Sequence, residues 1–112
     1  PAVEVRRTAA AAVGDMKLYR AAGKLVALLD DADPGVQRAA VRALGQIRQR
    51  AALATLVDRY EQTVADYHGA DLRQDLVVAI GRIGGRDSLR VLVDATSDPD
   101  LKVRLAAVEA LR

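Results

Sequence analysis

Few residues of this chain have the side-chain chemistry that catalysis or metal binding requires. The 112 residues include one histidine, His68, and no cysteine, so a His-rich metal site, a Cys–His pair or a disulfide cannot form within the chain. Asp30 and Asp31 are adjacent carboxylates, for which a solvated or structural role is far commoner than acid–base catalysis. The segment GRIGG (81–85) lacks the preceding strand and the Lys-Ser/Thr of a phosphate loop. We therefore predict a binding function, with no enzymatic activity, metal site or cofactor.

The charged residues are mixed in sign along the chain. There are 17 basic and 15 acidic residues, which give a formal net charge of +2. The signs interleave, whereas a nucleic-acid binder typically carries a concentrated basic patch. No apolar stretch approaches the roughly 20 residues that a membrane-spanning helix needs, so we expect no membrane insertion. The absence of cysteine fits a reducing compartment, and we expect a cytoplasmic protein.

One ten-residue segment occurs four times, as VRRTAAAAVG (5–14), VQRAAVRALG (36–45), LRQDLVVAIG (72–81) and VRLAAVEALR (103–112). The starts are separated by 31, 36 and 31 residues. Small or apolar residues at offsets 3, 4, 7 and 8 from each start form one helical face. In the second copy Gly45 closes the segment, and we expect it to adopt the left-handed conformation that ends a helix. The predicted buried face of that copy is Val36, Ala39, Ala40, Ala43 and Leu44.

A second helical stripe follows each of the first three copies, at 8, 11, 12 and 15 residues after the last position of the copy. Neither helix of such a unit can bury its stripe alone, so the units must stack side by side. We predict an all-α fold, an α–α superhelix (a right-handed solenoid) of stacked antiparallel helix pairs, with about 3.5 repeats and seven helices. The three stripes are Ala22, Leu25, Val26 and Leu29; Leu53, Leu56, Val57 and Tyr60; and Leu89, Leu92, Val93 and Thr96.

Capping residues mark the starts of the first helices. Asp33 can accept hydrogen bonds from the free N–H groups of the helix in the second copy, and Pro34 suits its first position. Asp98-Pro99 is predicted to start the last helix in the same way, and Asp71 to cap the third.

These segments resemble HEAT repeats, in particular the short HEAT-like repeats of the phycobilin-lyase type. The resemblance rests on DADPGVQRAAVRALGQI (31–47) and DPDLKVRLAAVEALR (98–112) and covers essentially the whole chain. It implies a single HEAT-like repeat domain over 1–112, with repeats at approximately 1–30, 31–66, 67–97 and 98–112, the last one partial. We expect the chain to be a fragment of a longer protein.

The resemblance also implies a ladder of hydrogen bonds between neighbouring repeats. Arginines at the second position of the repeated segment would bridge to acids near the inter-repeat turns, and Gln37 interrupts the series. The predicted members are Arg6, Arg73, Arg104, Asp31 and Asp98. Asp75 stands where other copies have Ala39 and Ala106. It either reaches an arginine such as Arg38 from the first turn of its helix, or forms part of a site with the preceding loop.

The predicted function is a non-enzymatic scaffold or adaptor for protein–protein interaction, with a partner of unknown identity. We expect the second helices to line a concave face, and its candidate contact residues are Lys24, Ala27, Thr55, Asp58, Arg90, Val91 and Asp94. The outer face of the first helices should carry a modest basic surface of Arg7, Arg38, Arg42 and Arg48. Two alternatives stay open. The resemblance alone implies a bilin lyase or chaperone-like HEAT protein, and a nucleic-acid-binding HEAT module is the other.

Two irregular places in the repeat pattern are further candidates for partner contact. The 36-residue spacing contains VADYHGAD (64–71), whose extra residues should lengthen the second helix by about one turn before Gly69 ends it. Tyr67 and His68 would then lie at an exposed helix end and could touch a partner. The unpaired last helix should expose part of its stripe, which suggests self-association through the C-terminal repeat. We expect the exposed part to include some of Val103, Ala107 and Leu111.

Overall fold

A computed structural model of the chain describes residues 2–112, apart from the side chain of Tyr67. Within these residues the chain forms seven α-helices and no strand, which confirms the predicted all-α solenoid. The helices are α1 (Val3–Asp15), α2 (Ala22–Leu28), α3 (Pro34–Gln46), α4 (Leu53–Thr63), α5 (Ala70–Ile83), α6 (Arg86–Ala95) and α7 (Leu101–Ala110). Short 3-10 turns at Tyr19–Ala21, Arg50–Ala52 and Tyr67–Gly69 precede α2, α4 and α5.

The helices form two layers. The first helices α1, α3, α5 and α7 pack directly against one another in succession, and α2, α4 and α6 cover the junctions between them. The second helices share few contacts with each other. Each unit thus depends on its neighbours for burial of its apolar faces, as stacked repeats do.

The predicted apolar face of α3 is the centre of the core. All five of its predicted members are buried, and Val36, Ala40, Ala43 and Leu44 have no exposed surface. Small side chains at these positions allow neighbouring first helices to approach closely, since little volume lies between their backbones. The composition rich in alanine therefore sets the spacing of the first-helix layer.

The repeated glycine is needed for this close approach and does not end the helix, so the prediction for Gly45 was wrong. Gly45 lies within α3, and a Cβ atom added to it would stand 2.8 Å from the Cα atom of Ala79 in α5. Gly14 faces Ala43 of α3 in the same way, at 2.7 Å. The left-handed conformation occurs instead at Arg48, with φ of 52°.

The apolar stripe predicted for α6, the second helix of the third unit, was wrong by one residue. Leu89 and Val93 are 54% and 53% exposed, and the buried face of α6 is Ser88, Val91, Leu92 and Ala95. The cause is the connection before α6. Gly84 and Gly85, with φ of 75° and 99°, lead directly into this helix, whereas a 3-10 turn precedes α2 and α4. Counted from the last position of the repeated segment, α6 therefore starts three residues earlier than α2 and α4, and its buried stripe is displaced by one residue.

One of the three predicted helix caps is confirmed. The carboxylate of Asp33 accepts a hydrogen bond from the backbone N–H three residues further on, at 2.9 Å. For α7 the prediction was wrong, because Asp100 caps the helix by accepting from the N–H of Lys102 at 2.8 Å, while Asp98 is buried before it. Asp71 was also wrong as a cap, since it lies inside the first turn of α5. Its carboxylate accepts instead from the Lys102 ammonium group at 2.7 Å.

Candidate functional site

Arginine–aspartate pairs join successive units, as the ladder prediction required. Arg6 donates to both carboxylate oxygens of Asp31, from Nε at 2.7 Å and from Nη2 at 3.1 Å. Arg73 makes the equivalent bonds to Asp98, at 3.0 and 3.3 Å. The hydrogen bond from Arg6 lowers the pKa of Asp31. These groups are occupied by each other and hold neighbouring units together through charge-assisted hydrogen bonds.

The ladder is interrupted where the repeat spacing is longest. Gln37 stands at the arginine position of the second unit, and its amide donates to the backbone oxygen of Asp31 at 2.6 Å. Arg104 makes the corresponding bond to the backbone oxygen of Asp98, at 2.8 Å. No ion pair of the Arg6–Asp31 kind starts from Gln37, because its side chain carries no charge. The second and third units are thus joined without that pair.

Asp98 is the centre of a buried polar cluster that links three units. Its carboxylate accepts hydrogen bonds from the Tyr60 hydroxyl at 2.7 Å, from Arg73, and from the backbone N–H of Asp100 at 2.9 Å. Asp98 and Arg73 are only 2% and 1% exposed. Burial and the bond to Asp98 raise the pKa of Tyr60. Among the described residues every buried side-chain nitrogen or oxygen has a hydrogen-bond partner, as is usual for buried polar groups.

A cavity of about 530 Å³ crosses the exposed surface of α1, α3 and α5. We call it the first-helix groove. Alanine, valine and glycine form much of its lining, and charged side chains project from all three helices. Its lining residues are Arg7, Ala11 and Asp15 of α1, then Gly35, Ala39, Arg42 and Gln46 of α3, and Asp75, Val78, Ala79 and Arg82 of α5.

Asp75 lies in this groove and is held by two arginines. Its Oδ2 atom is 2.8 Å from Nε of Arg38 and 3.2 Å from Nε of Arg42. The pairing with Arg38 confirms the first of the two predictions made for this residue. It also explains how a carboxylate can replace alanine at this position of the first helix, because Arg38 and Arg42 compensate its negative charge.

A second polar cavity of about 410 Å³ continues the groove at the C-terminal ends of the first helices. The two cavities share Asp15, Gln46 and Arg82, and the second adds Lys17 and Arg48. The Gln46 amide donates to the carboxylate of Asp15 at 2.9 Å. The combined surface is therefore positive in net charge, and basic groups at helix C-termini are electrostatically favoured there.

The packing of the helices places the concave face of the solenoid on the side of the first helices. This corrects the expectation that the second helices line the concave face. First helices are in close contact along the whole row, while second helices hardly touch each other. The more closely spaced layer must follow the shorter, inner arc. Val91 was also wrong as a solvent position, because it is buried in the corrected stripe of α6.

The predicted contact residues on the second helices do lie at the surface. Lys24, Asp58, Arg90 and Asp94 are exposed, and Thr55 is half-buried. Lys24 borders a separate apolar cavity between α1 and α2. The structure does not bring these five residues into the first-helix groove, and their role in partner binding stays a prediction.

The insertion at 64–71 is a short, anchored connection. The helix before it, α4, has 11 residues against 7 in α2, in line with the expected extra turn, but it ends at Thr63, before Gly69. Arg73 donates from Nη1 to the backbone oxygens of Thr63 and Asp66, at 2.6 and 2.7 Å. His68 is exposed, and the side chain of Tyr67 lies outside the described residues. Partner contact by these two residues stays a prediction.

The outward face of α7 includes one of the three residues named for it. Val103 and Ala107 are buried completely against the preceding unit, and of the three predicted residues only Leu111 is exposed. The exposed apolar residues of this helix follow a different stripe, made of Leu101, Leu105 and Val108. Self-association through this helix stays a prediction.

Comparison with known proteins agrees with this geometry. A family model described as HEAT repeats matches residues 1–70. The chain belongs to the HEAT-repeat family. A search of the curated proteins finds no match to it. HEAT repeats are commonly scaffolds for protein interaction and are generally non-enzymatic. Beyond the matched range, Arg73 and Asp98 repeat the contacts of Arg6 and Asp31, so the HEAT geometry continues to α7.

Metal-binding clusters and membrane-spanning helices are both absent from the described residues of this HEAT array. In the part of the chain that the structure describes, no group of three or more His, Cys, Asp or Glu side chains could hold a metal ion. No helix formed by the described residues is long and apolar enough to cross a membrane.

Most residues of the first-helix groove were not predicted from their chemistry, although their common spacing in the repeated segments indicates them. Asp15, Gln46 and Arg82 all stand ten residues after the start of their repeated segments, and Ala11, Arg42 and Val78 all stand six residues after it. These positions lie outside the apolar stripe, on one further helical face. They could have been grouped from their spacing alone.

Proposed function

We propose that this HEAT-repeat chain is a non-enzymatic scaffold that binds a protein partner in the first-helix groove. The observation that carries the proposal is the contrast between repeating and non-repeating positions of the first helices. The core offsets four, seven and eight repeat as alanine, valine, leucine or isoleucine, whereas the groove offset ten carries Asp15, Gln46 and Arg82 in turn. Packing does not require three different polar groups at offset ten. A surface that distinguishes one partner from another does require them.

The geometry of the groove supports this proposal. It is concave, it extends over three helices, and it combines an apolar floor with a charged rim, which is the usual construction of an interface. Ala11, Arg42, Val78 and Arg82 are exposed within it. The second-helix surface of Lys24, Thr55, Asp58, Arg90 and Asp94 is the competing location for the same function.

A charge reversal on each surface tests the location. Arg82 lies in the groove and Arg90 on α6 of the same unit, and both side chains are exposed. We expect Arg82→Glu to abolish capture of specific partners from a cell extract, quantified by mass spectrometry, and Arg90→Glu to leave their capture unchanged. Partners that are lost with Arg90→Glu and kept with Arg82→Glu would move the site to the second helices. Equal thermal melting of the two variants is the control for folding.

A further inference from the structure

Three arginines cross the first-helix groove on a diagonal. Arg7, Arg42 and Arg82 stand two, six and ten residues after the starts of their repeated segments. Each step therefore rises four residues, or about 6 Å, along the helix direction, and crosses one helix spacing of about 8–10 Å. The arginines are thus roughly 11 Å apart in a line.

The acidic residues of the groove lie off this diagonal and already accept hydrogen bonds from neighbouring side chains. Asp15 is at the C-terminal end of α1 and accepts from Gln46. Asp75 is in the second turn of α5 and is paired with Arg38 and Arg42. The diagonal therefore keeps an excess of positive charge between two occupied carboxylates.

The arginines of the diagonal retain donors for a ligand. Arg82 is exposed and makes no ion pair with any residue that the structure describes. Arg7 is paired only at long distance, 3.5 Å to Glu4 and 3.6 Å to Asp33. Arg42 contacts Asp75 through Nε, and the two terminal nitrogens of its guanidinium group carry further N–H donors.

We propose that the groove binds an acidic α-helix of the partner protein, whose carboxylates are about seven residues apart and pair with Arg7, Arg42 and Arg82. This inference rests on the proposed function. A helix rises about 1.5 Å per residue, so seven residues, or two turns on one face, span about 10.5 Å and match the diagonal. In a strand, residues on one face recur about every 6.8 or 13.6 Å, and neither length fits the steps.

The floor and the acidic flanks of the groove favour a helix over a nucleic acid. Ala11, Ala39 and Val78 leave room for a helix to lie close to the surface and offer apolar contact to its small side chains. A nucleic-acid backbone carries a charge at every nucleotide, which would place phosphates beside Asp15 and Asp75 as well as beside the arginines.

Two synthetic alanine-based helical peptides of identical composition test the inference. One carries three glutamates about every seven residues, on a single face, and the other carries the same glutamates about every five residues, on different faces. By fluorescence anisotropy we expect the intact chain to bind the first peptide at least about tenfold more tightly, with weaker binding as salt is raised. Arg42→Glu and Arg82→Glu should each reduce that affinity by roughly tenfold, and Arg90→Glu should not change it.

The possible results separate the inference from the function on which it rests. Equal binding of both peptides, or binding of neither, overturns the acidic-helix inference, while the comparison of Arg82→Glu with Arg90→Glu in extracts still decides the proposed function. A single-stranded oligonucleotide that binds as tightly as the first peptide, with the same dependence on Arg82, overturns the inference in favour of nucleic acid. Arg82→Gln keeps the measurement usable if the reversal impairs folding, and it should weaken binding less than Arg82→Glu.

Discussion

Replacing Asp98 by alanine should destabilise the chain far more than the same replacement of Asp31, although the two residues occupy equivalent places in the ladder. Both accept two hydrogen bonds from an arginine 25 residues earlier. They differ in environment. The Arg73–Asp98 pair has side chains that are 1% and 0% exposed, whereas those of Arg6 and Asp31 are 27% and 10% exposed. The comparison therefore measures the effect of burial on one motif together with that of the Tyr60 hydroxyl bond, which Asp98 also accepts.

The magnitude follows from what the substitution leaves behind. Asp98→Ala strands the guanidinium charge of Arg73 inside the protein and removes the acceptor of the Tyr60 hydroxyl. Removing one partner of a buried ion pair costs about 3–5 kcal/mol. With an unfolding entropy of about 2.1 cal/mol/K per residue, the melting temperature should fall by roughly 10–20 °C. Arg6 can turn to solvent when Asp31 is replaced, so the loss of stability in Asp31→Ala should be smaller than in Asp98→Ala.

Thermal and urea unfolding followed by circular dichroism measure both variants against the unchanged chain. The double variant Arg73→Met/Asp98→Ala should recover part of the loss, because it removes the stranded charge. If Asp98→Ala does not fold, Tyr60→Phe removes one hydrogen bond of the same cluster and should cost about 1 kcal/mol. The cost assigned to the stranded charge is contradicted if Asp98→Ala is no less stable than Asp31→Ala, or if the double variant recovers none of the lost stability.

Three further outcomes are expected. Burial acts to raise the pKa of Asp98, but its hydrogen bonds outweigh this and hold the pKa below the ordinary 3.8. The resulting stability should be complete above about pH 4 and lost as pH falls through the lower folded-state pKa, an acid dependence of urea unfolding that Asp98→Asn should reduce. Gly45→Ala should destabilise by about 1–3 kcal/mol, because its Cβ would meet Ala79. Its control, Gly23→Ala, has open space and should gain up to about 1 kcal/mol; equal melting of these two variants would contradict the role given to the glycine. Gly84→Ala should cost about 1–3 kcal/mol in the same melting assay, because φ of 75° with ψ of −171° suits glycine alone, and an unchanged melting temperature would refute this.

Features that depend on local periodicity could be predicted from the sequence. The buried face of α3 and the Asp33 cap follow from residue types at fixed spacing, the Arg–Asp ladder follows from the resemblance to HEAT repeats, and the structure confirms all three. The third stripe failed because its position depends on the connection before α6. Two glycines there replace a longer turn, and a count of residues from the repeat start cannot reveal how many of them the turn uses.

The candidate site was harder to predict because curvature depends on contacts between helices. A glycine at the end of an apolar stripe is compatible both with a helix stop and with a close helix crossing. Only the distance between Gly45 and Ala79 decides between them. The close crossing brings the first helices together, and this turned the expected binding face from the second helices to the first. The groove residues Asp15, Gln46 and Arg82 then came into one surface.

The bond between Tyr60 and Asp98 gives the array a direction of unfolding. In a solenoid whose units touch only their neighbours, either end can fray independently. Here Tyr60 belongs to the second unit and Asp98 opens the fourth, so the segment that leads into α7 is bound to a side chain two units away. At the other end, the long-range side-chain hydrogen bonds of α1 among the described residues go to the adjacent unit, from Arg6 to Asp31 and from Gln46 to Asp15. Fraying therefore begins at α1, and its backbone amides should exchange with solvent deuterium before those of α5 and α7.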